Sequence, residues 1–188
     1  AQCKSCVMLA ALNIHGETSI NAKKSRDHTE LLFENLKIPI KIKRKKDHDI
    51  IKIIKPNSID SFNLIIPGDI SSSAFFIVLT LLSKNSKLLI KKININPSRL
   101  GVIKILNKMG AKIKLLNIKK INNEKTANIF VKSTNNLKAI NCPSNLNSSA
   151  IDEFLIIFLV AAKAKGISYF KKLNELNQKE SPRLKIGS

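Results

Sequence analysis

Leu36-Lys37-Ile38-Pro39-Ile40-Lys41-Ile42 and, further along, Met109-Gly110-Ala111-Lys112-Ile113-Lys114 make the same move twice. Each ends an apolar helical pattern and passes at once into alternating apolar and basic residues, the period of a half-buried strand. What surrounds the two copies recurs as well. An apolar helix, a polar turn, a short strand and a Ser/Arg element that opens another helix follow in that order. The turns are His15-Gly16, Lys84-Asn85 and Lys165-Gly166, and the Ser/Arg elements are Ser25-Arg26, Ser98-Arg99 and Ser181-Pro182-Arg183. Such self-similarity marks an internal repeat, whose unit cannot bury its apolar face alone. The unit is α/β, of the βαβαββ kind. Several units around a pseudo-threefold would bury the apolar helices centrally.

Residues 2–12 read as a helix with a wide apolar face, ended by Asn13 to Gly16, and Glu17 to Ile20 as a short strand. Ser25 to Leu36 is the next helix, capped by Ser25 or Asp27, with Leu31, Leu32 and Leu36 on one face. Ile38 to Ile42 and Ile50 to Ile54 alternate as antiparallel strands, and the charged run Lys43 to Asp49 is their hairpin tip. After Lys55-Pro56-Asn57-Ser58 the pattern restarts. Phe62 to Ile66 is expected as a strand, Pro67-Gly68-Asp69 as a turn, and residues 70–82 as a buried helix capped by Asp69. Strand Lys87 to Ile90, helix Ser98 to Met109, and strands Lys112 to Leu116 and Asn128 to Lys132 follow. A third restart gives helix 151–163, strand Ile167 to Phe170 and the cluster Lys179 to Arg183. The boundary falls near residues 56–65, dividing the chain into 1–62 and 63–188. Ala1 lies inside a helical pattern and Ser181 to Ser188 reads as a helix just beginning, so both ends look cut.

Hydrophobic residues make up 44% of the 188, enough for a packed core, which excludes global disorder. The net charge of +20 suits either a nucleic-acid partner or a solvated surface around a pocket for small anions. Aromatics are 5% and Trp is absent, so a platform for stacking single-stranded bases has little to stack on. A basic nucleic-acid-binding module therefore rests on charge alone. Cys3 and Cys6 form a lone C-x-x-C without a second pair and read as small buried side chains. His15, His28 and His48 have no ligand spacing, so neither a metal site nor a cofactor is expected. The longest apolar run, Phe154 to Ala162, falls far short of the roughly 20 residues a bilayer needs, which favours a soluble, cytoplasmic protein.

Ile151-Asp152-Glu153 sets an acid at the mouth of an apolar helix, and Lys179-Glu180-Ser181-Pro182-Arg183 supplies a Lys/Glu/Arg cluster downstream. Together they are equipment for moving protons around an anionic substrate. A cation at a helix start adds its charge to unpaired backbone N–H groups, so Arg26 and Arg183 are candidate clamps for phosphate or carboxylate. Spacing leaves bland alternatives open. Asp152 can be an N-cap, Glu180 a surface ion pair, and Arg99 reads better as a solvated surface arginine.

The ordered series Ala1-Gln2-Cys3-Lys4-Ser5, Gly16-Glu17-Thr18, Ser25-Arg26-Asp27-His28-Thr29-Glu30, Pro67-Gly68-Asp69-Ile70-Ser71-Ser72, Asn96-Pro97-Ser98-Arg99, Met109-Gly110-Ala111, Ile151-Asp152-Glu153 and Lys179-Glu180-Ser181 resembles the 5-enolpyruvylshikimate-3-phosphate synthase family. The resemblance runs the whole chain. Its Ala-Gln-x-Lys and Arg-Asp-His-Thr-Glu pieces look like the bacterial branch that includes glyphosate-insensitive members. It implies an incomplete enolpyruvyl transferase fold, an inside-out α/β barrel of two domains. Residues 1–62 would end one domain and 63–188 begin the other. It also implies a monomer that closes on shikimate 3-phosphate and phosphoenolpyruvate without a cofactor.

By that resemblance Gln2 touches both substrates, with Ala1 beside it, and Arg26 lies near the shikimate phosphate. Asp152 takes the proton from the attacking 5-hydroxyl, Lys179 bonds to that hydroxyl region, Glu180 protonates the phosphoenolpyruvate methylene, and Arg183 holds phosphoenolpyruvate. There are departures. Asn177 stands where the family has Arg, Pro182 where it has Asp, and Ser98 where it has Thr. The family's N-terminal phosphate clamp, Gly-rich phosphoenolpyruvate loop and C-terminal arginine have no counterpart, so the 188-residue polypeptide is expected to be inactive alone. The rival with the same fold is the amino-sugar enolpyruvyl transferase of cell-wall synthesis. The Lys179-Glu180-Ser181 and Arg26-to-Glu30 pieces argue against it.

Overall fold

The computed structural model describes residues 1–178 together with Leu184. Its chain forms two compact units, Ala1–Ile66 with Lys120–Glu124, and Pro67–Lys119 with the rest of the described residues.

The first unit runs α1 (Gln2–Ala11), β1 (Glu17–Lys23), α2 (His28–Asn35), β2 (Ile40–Arg44) and β3 (His48–Ile54). The sheet order is β1-β3-β2, with β3 antiparallel to both neighbours, so the two strands joined by α2 lie parallel at its edges. Alternation along β3 turns Asp49, Ile51 and Ile53 inward and Lys52 and Ile54 outward. Met8 and Ala11 of α1, Phe33 of α2 and Ile38 close the core against Ile51 and Ile53. The buried face of α2 is Glu30 and Phe33, with Leu36 only partly buried, rather than the expected Leu31, Leu32 and Leu36. A glutamate can face inward there because a lysine from α1 meets it.

The second unit repeats the plan: α3 (Ile70–Leu82), β4 (Lys87–Asn94), α4 (Gly101–Lys108), β5 (Lys112–Ile121) and β6 (Glu124–Lys132), with order β4-β6-β5. The repeat extends to backbone detail. All three polar turns place a residue in the left-handed region: Gly16 (φ 87), Asn85 (φ 50) and Gly166 (φ 97). Helices α2 and α4 both begin two residues after the arginine of their Ser/Arg elements. Arg26 and Arg99 thus stand just ahead of their helices rather than inside the first turn.

Asp69 caps α3 as expected, its Oδ2 accepting from the Ser72 amide at 2.8 Å. Phe62 to Ile66 forms no strand. The ladder there shrinks to one parallel bridge between Gly68 and Ile93, with Gly68 N–H donating to the Lys92 carbonyl at 2.8 Å. The third copy is similar. Parallel bridges join Lys138 to Lys165 and Asn141 to Tyr169 on either side of α5 (Phe154–Lys163), and Ile167 to Phe170 is not a strand. In both places the pairing among the described residues stops at isolated bridges.

Helix α3 is covered on one side only. Ile70, Ala74, Ile77 and Leu81 are buried, whereas Phe75, Phe76 and Leu79 are 65%, 60% and 65% exposed. An all-round apolar helix suits burial on every side, so the fully buried helix read from the sequence is half realised here. Cys3 and Cys6 are exposed on α1, which corrects the expectation of burial. Among the described residues no helix is long and apolar enough to cross a membrane.

Candidate active site

In the first unit the N-terminal turn of α1 is bonded to the loop that leads into α2. Lys4 Nζ donates to the Arg26 carbonyl at 2.8 Å and meets Glu30 Oε1 at 2.5 Å, and both side chains are buried. Ser5 Oγ and Thr29 Oγ1 share a hydrogen bond of 2.6 Å. Gln2 therefore opens a helix whose next residues grip the segment carrying Arg26. Ala1 is the N-cap residue of α1, exposed, and its carbonyl accepts from Ser5 N at 3.0 Å. Gln2 is exposed and Arg26 half-buried. Two residues named for substrate contact thus lie on segments tied together by a buried charge pair.

In the second unit Asp152 sits half-buried in a turn between the buried Ile151 and Glu153. Helix α5 starts at Phe154 with Glu153 in the N-cap position, so the cap alternative for Asp152 does not hold and the expected helix start at 151 moves on. Glu153 makes no cap bond with its own helix. Ser71 Oγ donates to Glu153 Oε1, and Arg99 Nη2 donates to Ser71 Oγ and, at 3.0 Å, to Asp69 Oδ1. Arg99 lies 3.9 Å from Glu153 Oε1 with its side chain only 16% exposed, which overturns its reading as a solvated surface arginine. Burial alone would raise the Asp69 carboxyl pKa. The Ser72 amide, the Arg99 charge and further bonds from Ser72 and Ser71 outweigh that and hold it below the ordinary value.

Lys179, Glu180 and Arg183 lie outside the described residues, as do Ser181 and Pro182. Among the described residues no group of three or more His, Cys, Asp or Glu side chains could hold a metal ion. Reading the sequence missed both buried charge clusters. Lys4 and Glu30 are 26 residues apart and Ser71 and Glu153 are 82 apart, so no local pattern couples them. For Lys4 and Glu30 the available signal was a charged residue within a helical pattern, whereas Arg99 and Glu153 lie ahead of their helices and offered none.

Repeated α-β-α-β-β units of this kind build the enolpyruvyl transferase fold. A solved EPSP synthase from Acinetobacter baumannii matches 100% of this chain with 41% of its own, at a TM-score of 0.88 and 34% identity. A second EPSP synthase structure from that organism covers 88% of the chain, at a TM-score of 0.78. The sequence narrows the class further. Residues 1–187 match the family model of EPSP synthase (3-phosphoshikimate 1-carboxyvinyltransferase), and the chain belongs to that family. The 3-phosphoshikimate 1-carboxyvinyltransferase of Petrotoga mobilis is 40% identical over 98% of this chain, and that of Thermodesulfovibrio yellowstonii 39% identical over 98%. The chain spans 42% and 43% of those relatives' lengths.

Proposed function

We propose that this chain is part of an enzyme that transfers the enolpyruvyl group of phosphoenolpyruvate to the 5-hydroxyl of shikimate 3-phosphate, releasing phosphate. The supporting observation is family membership across residues 1–187, in a chain that presents Gln2, Arg26 and Asp152 at helix entrances. Asp152 takes the 5-hydroxyl proton as the oxygen attacks C2 of phosphoenolpyruvate, and Glu180 delivers a proton to the C3 methylene. Collapse of the tetrahedral adduct expels phosphate and returns a proton from C3, restoring the double bond. Lys179 bonds at the hydroxyl. Gln2, with Ala1 beside it, and Arg26 hold shikimate 3-phosphate, and Arg183 holds phosphoenolpyruvate. Both substrates are polyanions, so cations that neutralise and align them supply much of the rate.

The family domains would divide at residues 62 and 63, and the complete protein would be a cytoplasmic monomer. The 188 residues alone would be inactive, because they span less than half the length of the relatives. The test is phosphate release from the two substrates by the complete coding frame and by its Asp152→Asn variant. A complete enzyme that releases no phosphate sinks the assignment. A variant with unchanged turnover removes Asp152 from the chemistry.

A further inference from the structure

We propose that Arg99, Ser71 and Glu153 form a positioning relay that holds the turn carrying Asp152, so that Arg99 and Ser71 serve the reaction without touching substrate. The inference rests on the reading of Asp152 as the base. Its own support is geometric.

Three separate elements converge on Glu153: the first turn of α3 through Ser71, the approach to α4 through Arg99, and the N-cap position of α5 itself. The hydrogen bonds run in one direction, from the guanidinium to the Ser71 oxygen and from the Ser71 hydroxyl to the carboxylate. Arg99 stands between two carboxylates, Asp69 and Glu153, and Asp69 is fixed in turn by capping α3. A carboxylate as buried as Glu153, 4% exposed, persists only when paired and hydrogen-bonded.

That carboxylate is not used where a helix entrance ordinarily uses one. It makes no cap bond with the amides of α5 and is instead directed at α3 and the Arg99 loop. Its effect is to fix the turn, not the helix start. The other end of the turn is fixed as well. Gly101, the first residue of α4, lies so close to Ser149 and Ala150 that no Cβ fits there. Asp152 is the half-buried residue between these two anchors, Ala150 and Glu153. A general base must stand within hydrogen-bond reach of its proton, and a displacement of about 1 Å can cost about a hundredfold in rate.

The test is steady-state kinetics of the complete enzyme carrying Ser71→Ala, Ser71→Thr, Arg99→Lys or Asp152→Asn, with active sites titrated so that misfolded protein is not counted. Ser71→Ala should lower kcat by about tenfold or more and leave KM for both substrates within about threefold, because a displaced base slows chemistry and spares binding. Ser71→Thr, which keeps the hydroxyl, should recover most of kcat. Arg99→Lys, which keeps the charge but not the planar guanidinium whose Nη2 reaches Ser71 and Asp69, should behave as Ser71→Ala does. Should Ser71→Ala fail to fold, Arg99→Lys reads the same effect. Wild-type kcat in Ser71→Ala and Arg99→Lys beside a dead Asp152→Asn overturns the relay and leaves the base standing. Wild-type kcat in Asp152→Asn overturns both.

Discussion

Lys37 and Gly110 occupy one and the same left-handed position, each just past the end of the second helix of its repeat, at φ 56 and φ 91. The hydrogen bonds match. Ile38 N–H donates back to the Phe33 carbonyl at 2.9 Å, and Ala111 N–H to the Leu106 carbonyl at 3.0 Å, the spacing of a Schellman ending. Only one copy carries the residue suited to it. A non-glycine side chain there costs on the order of 1 kcal/mol, part of which glycine returns through the entropy of the unfolded chain. Lys37→Gly should therefore stabilise by about 0.5 kcal/mol and Gly110→Ala should destabilise by about 1 kcal/mol. Midpoints of urea unfolding decide it, and a destabilised Lys37→Gly would mean that the lysine side chain itself contributes at that site.

Replacement of Lys4 by Met should be among the most damaging changes in the first unit. Among the described residues the ammonium is the one hydrogen-bond partner of the Glu30 carboxylate, whose second oxygen is buried without one. Removing one member of a buried pair leaves an uncompensated charge, at about 3–5 kcal/mol. Lys4→Met combined with Glu30→Leu should recover most of that, because a buried pair and an apolar pair of similar volume differ little. Urea unfolding of the two single variants and the double variant closes the cycle, and additive losses would contradict the coupling.

The contrast between these two sites shows what could be read in advance. The ending at Lys37 and Gly110 lies within a few residues of chain, so its pattern is printed in the sequence, as are the Asp69 cap and the three polar turns. The Lys4–Glu30 and Ser71–Arg99–Glu153 clusters depend on which segments meet in space, and charge looks the same on a solvated face as in a buried pair. Strand Phe62 to Ile66 failed for a related reason. Its composition is that of a strand, but a strand exists only beside a partner, and among the described residues the ladder reaches only Gly68. In the site, Asp152 was placed at a helix mouth by spacing, yet its buried neighbour Glu153 and the arginine behind it were not legible.

Acid should weaken the tie between Asp69 and its partners. The folded-state pKa of Asp69 is lowered, so its contribution to stability is fully present above the unfolded-state value near 4 and is lost as pH falls through the folded value. Asp69→Asn keeps a good capping residue but gives up the charge facing Arg99. The stability gap between wild type and this variant should be constant from about pH 5 to 7 and shrink below about pH 4. The gap should be small, because the Asp69 side chain is about half exposed and solvent screens it. Paired urea titrations across that range check the sign, since other carboxyl groups cancel in the difference. A gap that widens on acidification would reverse the assignment.

Gly101→Ala tests how the turn carrying Asp152 is seated. Glycine near a helix start is ordinarily a place where alanine helps, by roughly 0.5–1 kcal/mol. Here a Cβ would stand 2.5 Å from the Ser149 carbonyl carbon and 2.6 Å from both Ala150 N and Ala150 Cβ. Two of those three atoms are backbone, so no rotamer change relieves the clash and either α4 or the 144–149 turn must retreat. Overpacking of this sort costs about 1–3 kcal/mol, which outweighs the propensity gain and fixes the sign as destabilising. Because the displaced segment leads directly into Ile151-Asp152-Glu153, the loss should also reach catalysis, lowering kcat of the complete enzyme more than it raises KM for either substrate. Unfolding midpoints and steady-state kinetics of the one variant read both effects. A Gly101→Ala protein as stable and as active as its parent would mean that the two backbones do not approach as closely as the fold requires.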